Sequence, residues 1–331
     1  MTGPHPAVAA TRVAVRRALA SHATPGDRLL VACSGGADSL ALAAALAFEA
    51  PRYGVRAGGV CVDHGLQDGS AHQAEKAAGM LRELGLGPVF TSRVQVSGPG
   101  GPEAAARAVR YAALDRIRAD AGARWVLLGH TLDDQAESVL LGLGRGSGPR
   151  SIAGMRTAAP PWLRPLLGIR RRTTRTACVA QDLVPWEDPH NAELRFRRSR
   201  LRHEALPVLE DVLGGGVAEA LARTADLVRA DLDALAEIEH GLVQDRLGTP
   251  APDAVPVTAF DGLPEALRRR LLRAWLADVP GLTSVHLTAL DHLLADWHGQ
   301  GPVALPRGLL VARRHDKLLR TQAGRGEPPR E

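Results

Sequence analysis

A serine- and glycine-rich turn carries the strongest chemical signal in the sequence. It follows an apolar run at residues 27–33 and precedes a helical pattern, and its residues are Ser34, Gly35, Gly36, Ala37, Asp38 and Ser39. Glycines allow backbone amides to approach phosphate oxygens closely, and the N-terminus of a following helix adds positive charge. The carboxylate of Asp38 is an oxygen ligand of the kind that Mg²⁺ prefers. The turn predicts a site for a nucleotide phosphate, with an ordinary strand-to-helix turn as the alternative.

Two further groups of residues have types and spacings that suit a nucleotide. Asp63 and His64 come at the end of a second apolar run, where they would face the adenosine. Arg107 and Arg110 are three residues apart and therefore share one face of a predicted helix. An arginine aimed at a phosphate forms charge-assisted hydrogen bonds. A polar turn and a solvated helix face are the respective alternatives.

A pair of carboxylates indicates chemistry on an amine. Asp134 and Glu137 are also three residues apart and lie on one face of a predicted helix. Two carboxylates in this arrangement can hold a cationic amine and accept a proton from it. The neighbouring Asp133 has an alternative role as a helix cap, because helix N-termini favour acidic residues.

The elements that would position these residues alternate between strand and helix. The predicted strands span residues 27–33, 56–63, 89–96 and 125–129. The predicted helices span residues 7–21, 39–46, 72–84, 102–121 and 133–143. Such alternation is typical of an α/β fold with a doubly wound parallel sheet. Ligands of these sheets bind beyond the carboxyl ends of the strands, which is where the motifs fall.

The rest of the chain predicts a connector and a small second domain. We expect a catalytic domain at residues 1–215, a helical connector at 216–247, a small α+β C-terminal domain at 257–320 and a disordered tail at 321–331. Proline, glycine and alanine make residues 248–256 a linker by composition. Within the small domain the patterns predict helices at 264–278 and 283–297, followed by a hairpin of residues 302–306 with 309–319.

Composition favours a cytoplasmic protein with a polyanionic partner. The chain has 331 residues, a formal net charge of +5 and a sequence pI of about 9.7, although codon composition could also explain its arginines. Cys33, Cys61 and Cys178 form no C-x-x-C pair, which argues against a zinc or dithiol site. We see neither the apolar core of a signal peptide nor a run of about 20 apolar residues, so we expect no membrane association.

The motifs also resemble those of one enzyme family. SGGADS at 34–39, VDHGL at 62–66, ARAVRYAAL at 106–114 and GHTLDDQAESVLLGLGRGSG at 129–148 occur in this order in tRNA(Ile)-lysidine synthetases of the ATP-pyrophosphatase (PP-loop) superfamily. The absence of G-x-x-x-x-G-K-[ST] excludes a Walker loop. The resemblance spans roughly residues 28–210. It departs at residues 198–202, where Ser199 stands in place of the asparagine that is frequent in the family.

The resemblance implies a reaction with three substrates: ATP, L-lysine and the tRNA(Ile) that has a CAU anticodon. The O2 atom of the wobble cytosine would attack the α-phosphate of ATP and release pyrophosphate. The lysine ε-amine would then displace AMP at C2 and form lysidine. We expect Mg²⁺ to assist, with Asp38 as its ligand. The resemblance also allows a homodimer.

Residue roles follow from the same resemblance. Asp38, Arg110, Asp134 and Glu137 would be catalytic, and Asp134 with Glu137 would bind and deprotonate the substrate lysine. ATP would contact Ser34, Gly35, Gly36, Ala37, Asp38, Ser39, Asp63, His64, Arg110, Gly129 and His130. Apart from the resemblance, the arginine-rich runs at 170–175 and 195–202 suit RNA phosphates, with a solvated basic surface as the alternative. We expect tRNA to contact Arg195, Arg198, Arg200 and Arg202, and also a C-terminal set of Arg268, Arg269, Arg270, Arg273, Arg313 and Arg314.

Three other readings remain open from the sequence. A tRNA 2-thiocytidine-type sulfur transferase shares the superfamily but commonly needs paired cysteines, which are missing here. An amide-forming ATP pyrophosphatase would act on a small molecule without tRNA. A non-enzymatic RNA-binding module would not need the loop at 34–39 together with Asp38 and Arg110.

Overall fold

The computed structural model describes residues 3–63, 65, 69–94, 102–146, 148–188, 193–248 and 252–322, without the side chains of 102–104. The chain divides into two compact units. Unit 1 comprises Met1–Arg229 and unit 2 comprises Ala230–Glu331. The division falls inside a long helix, within the region predicted as a connector.

Unit 1 is built on a six-stranded sheet with the order β3-β2-β1-β4-β6-β5. Its strands are β1 (Arg28–Ala32), β2 (Arg56–Asp63), β3 (Val89–Arg93), β4 (Trp125–Leu127), β5 (Ala158–Ala159) and β6 (Trp162–Leu163). All neighbouring pairs are parallel except β5 with β6. Because β1 lies in the middle, Leu29, Leu30 and Val31 are fully buried. The doubly wound parallel sheet predicted from the sequence is confirmed.

Helices cover both faces of this sheet and connect its strands. They are α1 (Pro6–His22), α2 (Ala37–Glu49), α3 (Ser70–Glu83), α4 (Pro102–Asp120), α5 (Leu132–Arg145), α6 (Pro149–Ile152), α7 (Arg171–Val179), α8 (Arg197–Arg200), α9 (Leu206–Val212) and the start of α10 (Val217–Leu242). Alanine and leucine are strong helix formers, and in α2 they make nearly the whole helix apolar. Leu40, Leu42 and Leu46 are consequently fully buried in the core.

The segment between α5 and α10 contains several short elements. Besides a helical stretch that runs from α8 through residues 201–205 to α9, it has α6 and α7, of four and nine residues, and the two-residue strands β5 and β6. Elements of this length hold too few residues to show a clear hydrophobic period. Among these elements, α7 proves important for the site.

Unit 2 combines the end of α10 with two helices and a four-stranded antiparallel sheet of order β7-β10-β9-β8. Its further elements are β7 (Ala254–Pro256), α11 (Glu265–Trp275), α12 (Ser284–Ala295), β8 (Val303–Leu305), β9 (Leu309–Arg314) and β10 (Lys317–Gln322). The fully buried Trp275 lies in its core, and its indole Nε1 donates to the carbonyl oxygen of Pro252 at 2.7 Å.

Three expectations for unit 2 need correction. Residues 254–256 form a strand that pairs with β10, although composition marked them as linker. Residues 309–319 are two strands, because His315 adopts φ +53° and turns the chain between β9 and β10. The strand β10 also extends through Gln322. Residues 323–331 of the predicted tail lie outside the described residues.

Candidate active site

The turn between β1 and α2 has the shape that its residues predicted. Gly35 adopts φ +83°, which places it in the conformation that favours glycine. The Ser39 hydroxyl donates to the carbonyl oxygen of Gly36 at 2.9 Å and accepts from the backbone N–H of Ser34 at 3.2 Å. The loop is also fixed from outside, since the Trp186 N–H donates to the Gly35 carbonyl at 2.9 Å. Its backbone lies at the N-terminus of α2, as an anion site requires.

Gly129 lies directly beside this loop, beyond the end of β4. A Cβ atom at Gly129 would be 3.0 Å from both the carbonyl carbon of Asp38 and the backbone nitrogen of Ser39. The carboxyl ends of β1 and β4 therefore meet at the start of α2. A side chain at this position would push the loop at Ser34–Ser39 away from the residues that precede α5.

Asp38 lies in the first turn of α2 and faces α7. Its Oδ2 is 3.2 Å from Nε of Arg171, and its Oδ1 accepts a hydrogen bond from the Thr174 hydroxyl. Burial raises the pKa of Asp38, although Arg171 and Thr174 oppose this effect. The carboxylate is therefore held by one cation and one hydroxyl at the edge of the loop.

Asp134 is held at the start of α5 by a capping interaction. Its Oδ2 accepts from the Thr131 backbone N–H at 2.7 Å and from the Thr131 hydroxyl at 2.9 Å. Its Oδ1 is 2.6 Å from Nη2 of Arg171. Burial acts to raise the pKa of Asp134, but Arg171 and the Thr131 N–H outweigh it, so the pKa lies below its usual value. Asp134 is thus a fixed, ionised carboxylate.

Glu137 lies one turn further along α5 and is completely buried. Its Oε1 accepts from Nε of Arg202 at 2.8 Å and lies 3.5 Å from Nη1 of Arg171. Burial raises the pKa of Glu137, while the hydrogen bond and charge of Arg202 act in the opposite direction. A buried carboxylate with a raised pKa has the properties of a general base.

The structure brings Asp38, Asp134 and Glu137 together as one group, which we call the acidic cluster. Arg171 joins them, because each of its three guanidinium nitrogens faces a different carboxylate. From the sequence, Arg171 belonged to the basic run at 170–175 that suits RNA phosphates, because no spacing sets it apart from its neighbours. Only its place at the first turn of α7 identifies it.

A cavity of about 630 Å³ opens beside the acidic cluster. Its lining includes Glu137, Arg171 and Arg202 together with two acidic residues near the start of α10, Glu210 and Glu219. Those acids are tied to Arg170, whose guanidinium lies 3.0 Å from Glu210 and 2.7 Å from Glu219. The cavity is large enough for a small molecule with a charged chain, and Glu137 is the carboxylate of the cluster that lines it.

Arg107 and Arg110 form a basic group within electrostatic reach of His130. Burial lowers the pKa of Arg110, and the nearby positive charges of Arg107 and Arg198 lower it further. Arg107 also donates to the Tyr111 hydroxyl at 3.0 Å. Half-buried guanidinium groups that crowd one another are suited to an anion with several charges, such as a polyphosphate.

His130 lies between the acidic and basic groups. Burial lowers its pKa to about 3; Asp134 opposes this shift and nearby arginines, Arg164 first among them, add to it. The imidazole is therefore neutral near pH 7. Its Nδ1 is buried and has no hydrogen-bond partner within the described part of the chain. His130 is consequently available to a ligand as a neutral group.

The second predicted strand-end motif is only partly described. Asp63 is 6% exposed, and its Oδ1 accepts from the Gly65 N–H at 2.9 Å. Its Oδ2 lies 3.6 Å from Nε of Arg93 on β3. His64 lies outside the described residues, so its predicted contact with adenosine stays a prediction.

The arginines predicted for tRNA lie in different surroundings. Arg202 faces Glu137 and Asp134, so its guanidinium is paired with the acidic cluster, and its predicted contact with tRNA stays a prediction. Arg198 is close enough to Arg110 to affect its pKa. Arg195 pairs with Glu193 and Arg200 pairs with Glu204 at 2.8 Å, both at exposed positions. Exposed pairs of this kind exchange easily for a phosphate, because they contribute little stability.

Several C-terminal arginines bind carboxylates or carbonyl oxygens within unit 2. Arg268 lies 2.8 Å from Asp291, and Arg270 lies 2.9 Å from Glu239. Arg313 donates to the Leu293 carbonyl at 3.0 Å. These side chains hold unit 2 together, so the exposed Arg314 and the half-buried Arg273 are better placed to meet a phosphate.

Magnesium would fit at Asp38 together with the substrate. Mg²⁺ is usually bound by one or two carboxylates plus phosphate oxygens and water, and Asp38 supplies one carboxylate beside the phosphate-type loop. In the described part of the chain, no group of three His, Cys, Asp or Glu residues is arranged as a complete metal site. The residues present thus suit an ion that arrives with a nucleotide.

The three cysteines are buried next to the loop. The Gly35 N–H donates to Sγ of Cys33 at 3.4 Å, and Sγ of Cys178 donates to the Ala37 carbonyl at 3.3 Å. Burial raises the pKa of Cys178 to about 11, so its thiol stays protonated. Both thiols support the backbone of the loop, and the protonated thiol of Cys178 is a poor nucleophile. Within the described residues, no helix is both long and apolar enough to cross a membrane.

Comparisons with known proteins agree with this geometry. A PP-loop domain model matches residues 10–209, and a TilS substrate binding domain model matches residues 256–319. With the parallel sheet and the loop at Ser34–Ser39, the first match defines a PP-loop protein of the ATP-pyrophosphatase type. More particularly, the chain belongs to the tRNA(Ile)-lysidine synthase family.

Relatives match along nearly the whole chain. A tRNA(Ile)-lysidine synthase of Thermobifida fusca is 54% identical over 96% of this chain and 98% of its own length. The Streptomyces coelicolor protein of the same name is 52% identical over 97% of this chain and 100% of its own length. Among solved structures, the U34-tRNA thiolase NcsA of Methanococcus maripaludis with its [4Fe-4S] cluster has a TM-score of 0.57 at 18% identity, over 67% of this chain and 80% of that one. This last likeness concerns the fold alone.

Proposed function

We propose that the chain joins L-lysine to C2 of the wobble cytidine in the CAU anticodon of tRNA(Ile), using ATP and releasing AMP and pyrophosphate. The observation that carries this proposal is the meeting of the loop acid Asp38 with the carboxylate pair Asp134 and Glu137 around Arg171. Glu137 and Arg171 also line a cavity. Membership in the lysidine synthase family supports the same reaction.

The first step would be adenylation of the cytosine. The loop at Ser34–Ser39 would hold the phosphates of ATP with its backbone amides and the N-terminus of α2. Arg110 would place a half-buried positive charge against the phosphates as pyrophosphate leaves. A bound Mg²⁺ ion at Asp38 would supply further charge stabilisation. The cytosine O2 forms a bond to the α-phosphorus, and the bond to the pyrophosphate oxygen breaks.

The second step would be attack by lysine. An ε-ammonium group with an ordinary pKa near 10.4 must lose a proton before it can act as a nucleophile. Asp134 stays ionised and would orient the amine, whereas the buried Glu137 has the raised pKa of a proton acceptor. The nitrogen then bonds to C2, and the C2–O bond breaks to release AMP. His130, which is neutral, could contact the base or the phosphate without adding charge.

Transfer RNA would lie against the exposed arginines near α8 and on unit 2. Arg195 and Arg200 are exposed on unit 1, and Arg314 is exposed on unit 2. Contacts of this kind position an RNA through its phosphates and do not read its bases. Since such a substrate is found in the bacterial cytoplasm, we expect the protein to act there.

Nucleoside analysis tests this proposal. The protein is incubated with ATP, Mg²⁺, labelled L-lysine and a tRNA(Ile) transcript that has a CAU anticodon, and the digested RNA is separated by mass. The expected product is a cytidine whose mass has grown by lysine less one water, with AMP in equal amount. Label absent from the RNA while ATP is still split to AMP would indicate a different acceptor, and formation of ADP would contradict the proposed chemistry.

A further inference from the structure

Arg171 occupies the position in the acidic cluster where a substrate cation would be needed. Its Nη2 lies 2.6 Å from Asp134, its Nη1 lies 3.5 Å from Glu137 and its Nε lies 3.2 Å from Asp38. Asp134 and Glu137 are the residues to which we assign the lysine amine. In the described conformation, the guanidinium of Arg171 is the cation that they bind.

The charges around Arg171 are nearly balanced in this state. Three carboxylates face the two guanidinium groups of Arg171 and Arg202, which leaves one formal negative charge. An incoming ammonium must therefore compete with a guanidinium that already holds Asp134 at 2.6 Å. If Arg171 moved away, the cluster would have two uncompensated negative charges and would attract an amine more strongly.

A nucleotide offers Arg171 a different partner. Its Nε contacts Asp38 in the first turn of α2, at the edge of the loop that we assign to the phosphates. Guanidinium groups bind phosphate in a bidentate, charge-assisted manner, and a triphosphate carries more charge than one carboxylate. Arg171 also lines the cavity of about 630 Å³, which gives its side chain room to change direction.

We propose that Arg171 is a positioning residue that couples the two substrate sites: it blocks Asp134 and Glu137 in the nucleotide-free protein and releases them when phosphates bind at the loop. This inference rests on the proposed function, because it takes lysine as the amine. Nucleotide binding thereby opens the lysine site, and lysine binds before ATP only weakly. By thermodynamic linkage, lysine must strengthen nucleotide binding by the same factor.

The test measures L-lysine binding by calorimetry, with and without Mg²⁺ and α,β-methylene ATP, and without tRNA. In the unchanged protein we expect the analogue to tighten lysine binding by about tenfold or more. In Arg171→Gln we expect lysine to bind the nucleotide-free protein more tightly than in the unchanged protein, and the analogue to add less than about twofold. A residue with a merely structural role would weaken lysine binding when it is replaced.

Two further variants complete the experiment. Arg175→Gln removes an exposed charge from the same helix, where Arg175 pairs with Glu187 at 3.1 Å, and should behave as the unchanged protein does. Arg171→Lys keeps the charge but can contact only part of the cluster, so its coupling should be intermediate. It also carries the test if Arg171→Gln fails to fold, as judged by circular dichroism.

Results that contradict the coupling by Arg171 differ from results that contradict the proposed function. In one such result, the analogue tightens lysine binding by the same factor in Arg171→Gln as in the unchanged protein. That result, or the same result in Arg171→Lys if Arg171→Gln does not fold, would overturn this inference alone. Weaker lysine binding by nucleotide-free Arg171→Gln would do the same. Equal lysine affinity with and without the analogue in the unchanged protein would also overturn it. Failure of the unchanged protein to bind lysine or to incorporate it into tRNA would contradict the proposed function, and this inference with it.

Discussion

Arg202 holds Glu137 through two nitrogens of its guanidinium group, with Nε 2.8 Å from Oε1 and Nη2 3.3 Å from Oε2. The residues are 65 positions apart in the chain. This contact fixes the carboxylate that we assign as the base, and it opposes the effect of burial on the pKa of that carboxylate.

The pair has a consequence for the pH dependence of the second step. Without the charge of Arg202, the pKa of Glu137 should rise further, because burial is then opposed less. The base form of Glu137 is lost as pH falls through this pKa. We therefore expect Arg202→Gln to move the acidic limb of kcat/KM for lysine to higher pH. Arg200→Gln, which removes an exposed charge two residues away, should leave the limb in place. An unmoved limb in Arg202→Gln would remove Glu137 from the role of base.

Replacement of Glu137 itself should separate the two steps. Glu137→Gln keeps the size of the side chain but cannot accept the proton, and general base catalysis typically contributes about 10²- to 10⁴-fold. We expect a loss of this order in lysine transfer, with tRNA-dependent exchange between ATP and pyrophosphate largely kept. Equal losses in both assays would mean that Glu137 supports the fold of the site and not the amine step.

Replacement of Asp38 should impair the exchange between ATP and pyrophosphate more than it impairs lysine binding. In Asp38→Asn the loop keeps its shape but loses the carboxylate that we assign to the nucleotide's Mg²⁺, which should cost several kcal/mol of transition-state stabilisation. We expect exchange between ATP and pyrophosphate to fall by about 10²-fold or more, with lysine binding to the free protein affected less. Near-normal exchange by the folded variant would exclude this role for Asp38.

The neutral state of His130 can be observed directly. A pKa lowered to about 3 means that the folded protein binds no proton at this ring as pH falls through 6.5, whereas the unfolded chain does. Stability from the neutral ring is thus present above pH 6.5 and decreases below it. Ring resonances in nuclear magnetic resonance, assigned with His130→Gln, should not titrate between pH 5 and 8. A midpoint near 6.5 would contradict the buried, neutral assignment.

The role of unit 2 in RNA binding can be tested by charge removal in the full chain. We expect Arg273→Gln and Arg314→Gln each to weaken tRNA binding and to reduce the slope of log affinity against log salt by about one, with ATP binding unchanged. Arg17→Gln, an exposed position on α1, serves as the control. Unchanged slopes for both unit 2 variants would place RNA recognition elsewhere.

The sequence was most informative about the candidate catalytic residues that follow the ends of strands. Asp38 and Asp134 follow β1 and β4, and because parallel strands end at one edge of a sheet, their meeting could be anticipated. The arginine partners of these acids could not be anticipated from the sequence. Arg171 lies on a helix of nine residues and Arg202 in a basic run, and no spacing in the sequence reports which acids they will face.

Unit 2 shows the same limit. Val255 was assigned to a linker because prolines surround it, yet it is fully buried and pairs with Leu318 across the sheet. Tertiary pairing of this kind overrides local composition. Likewise, the charges of Arg268 and Arg270 suggested an RNA surface, but their carboxylate partners lie 23 and 31 residues away in the chain.

One measurement tests most directly the central claim, which is that this site activates a tRNA cytidine with ATP and that an amine then displaces AMP from the cytidine. The protein is incubated with ATP labelled at the α-phosphate and a CAU-anticodon tRNA(Ile) transcript without lysine, and L-lysine is then added. We expect label to appear in the RNA first and to leave as AMP when lysine is added, with no label in a transcript that has uridine in place of the wobble cytidine. Label that never enters the RNA, or that remains there after lysine is added, would contradict the account.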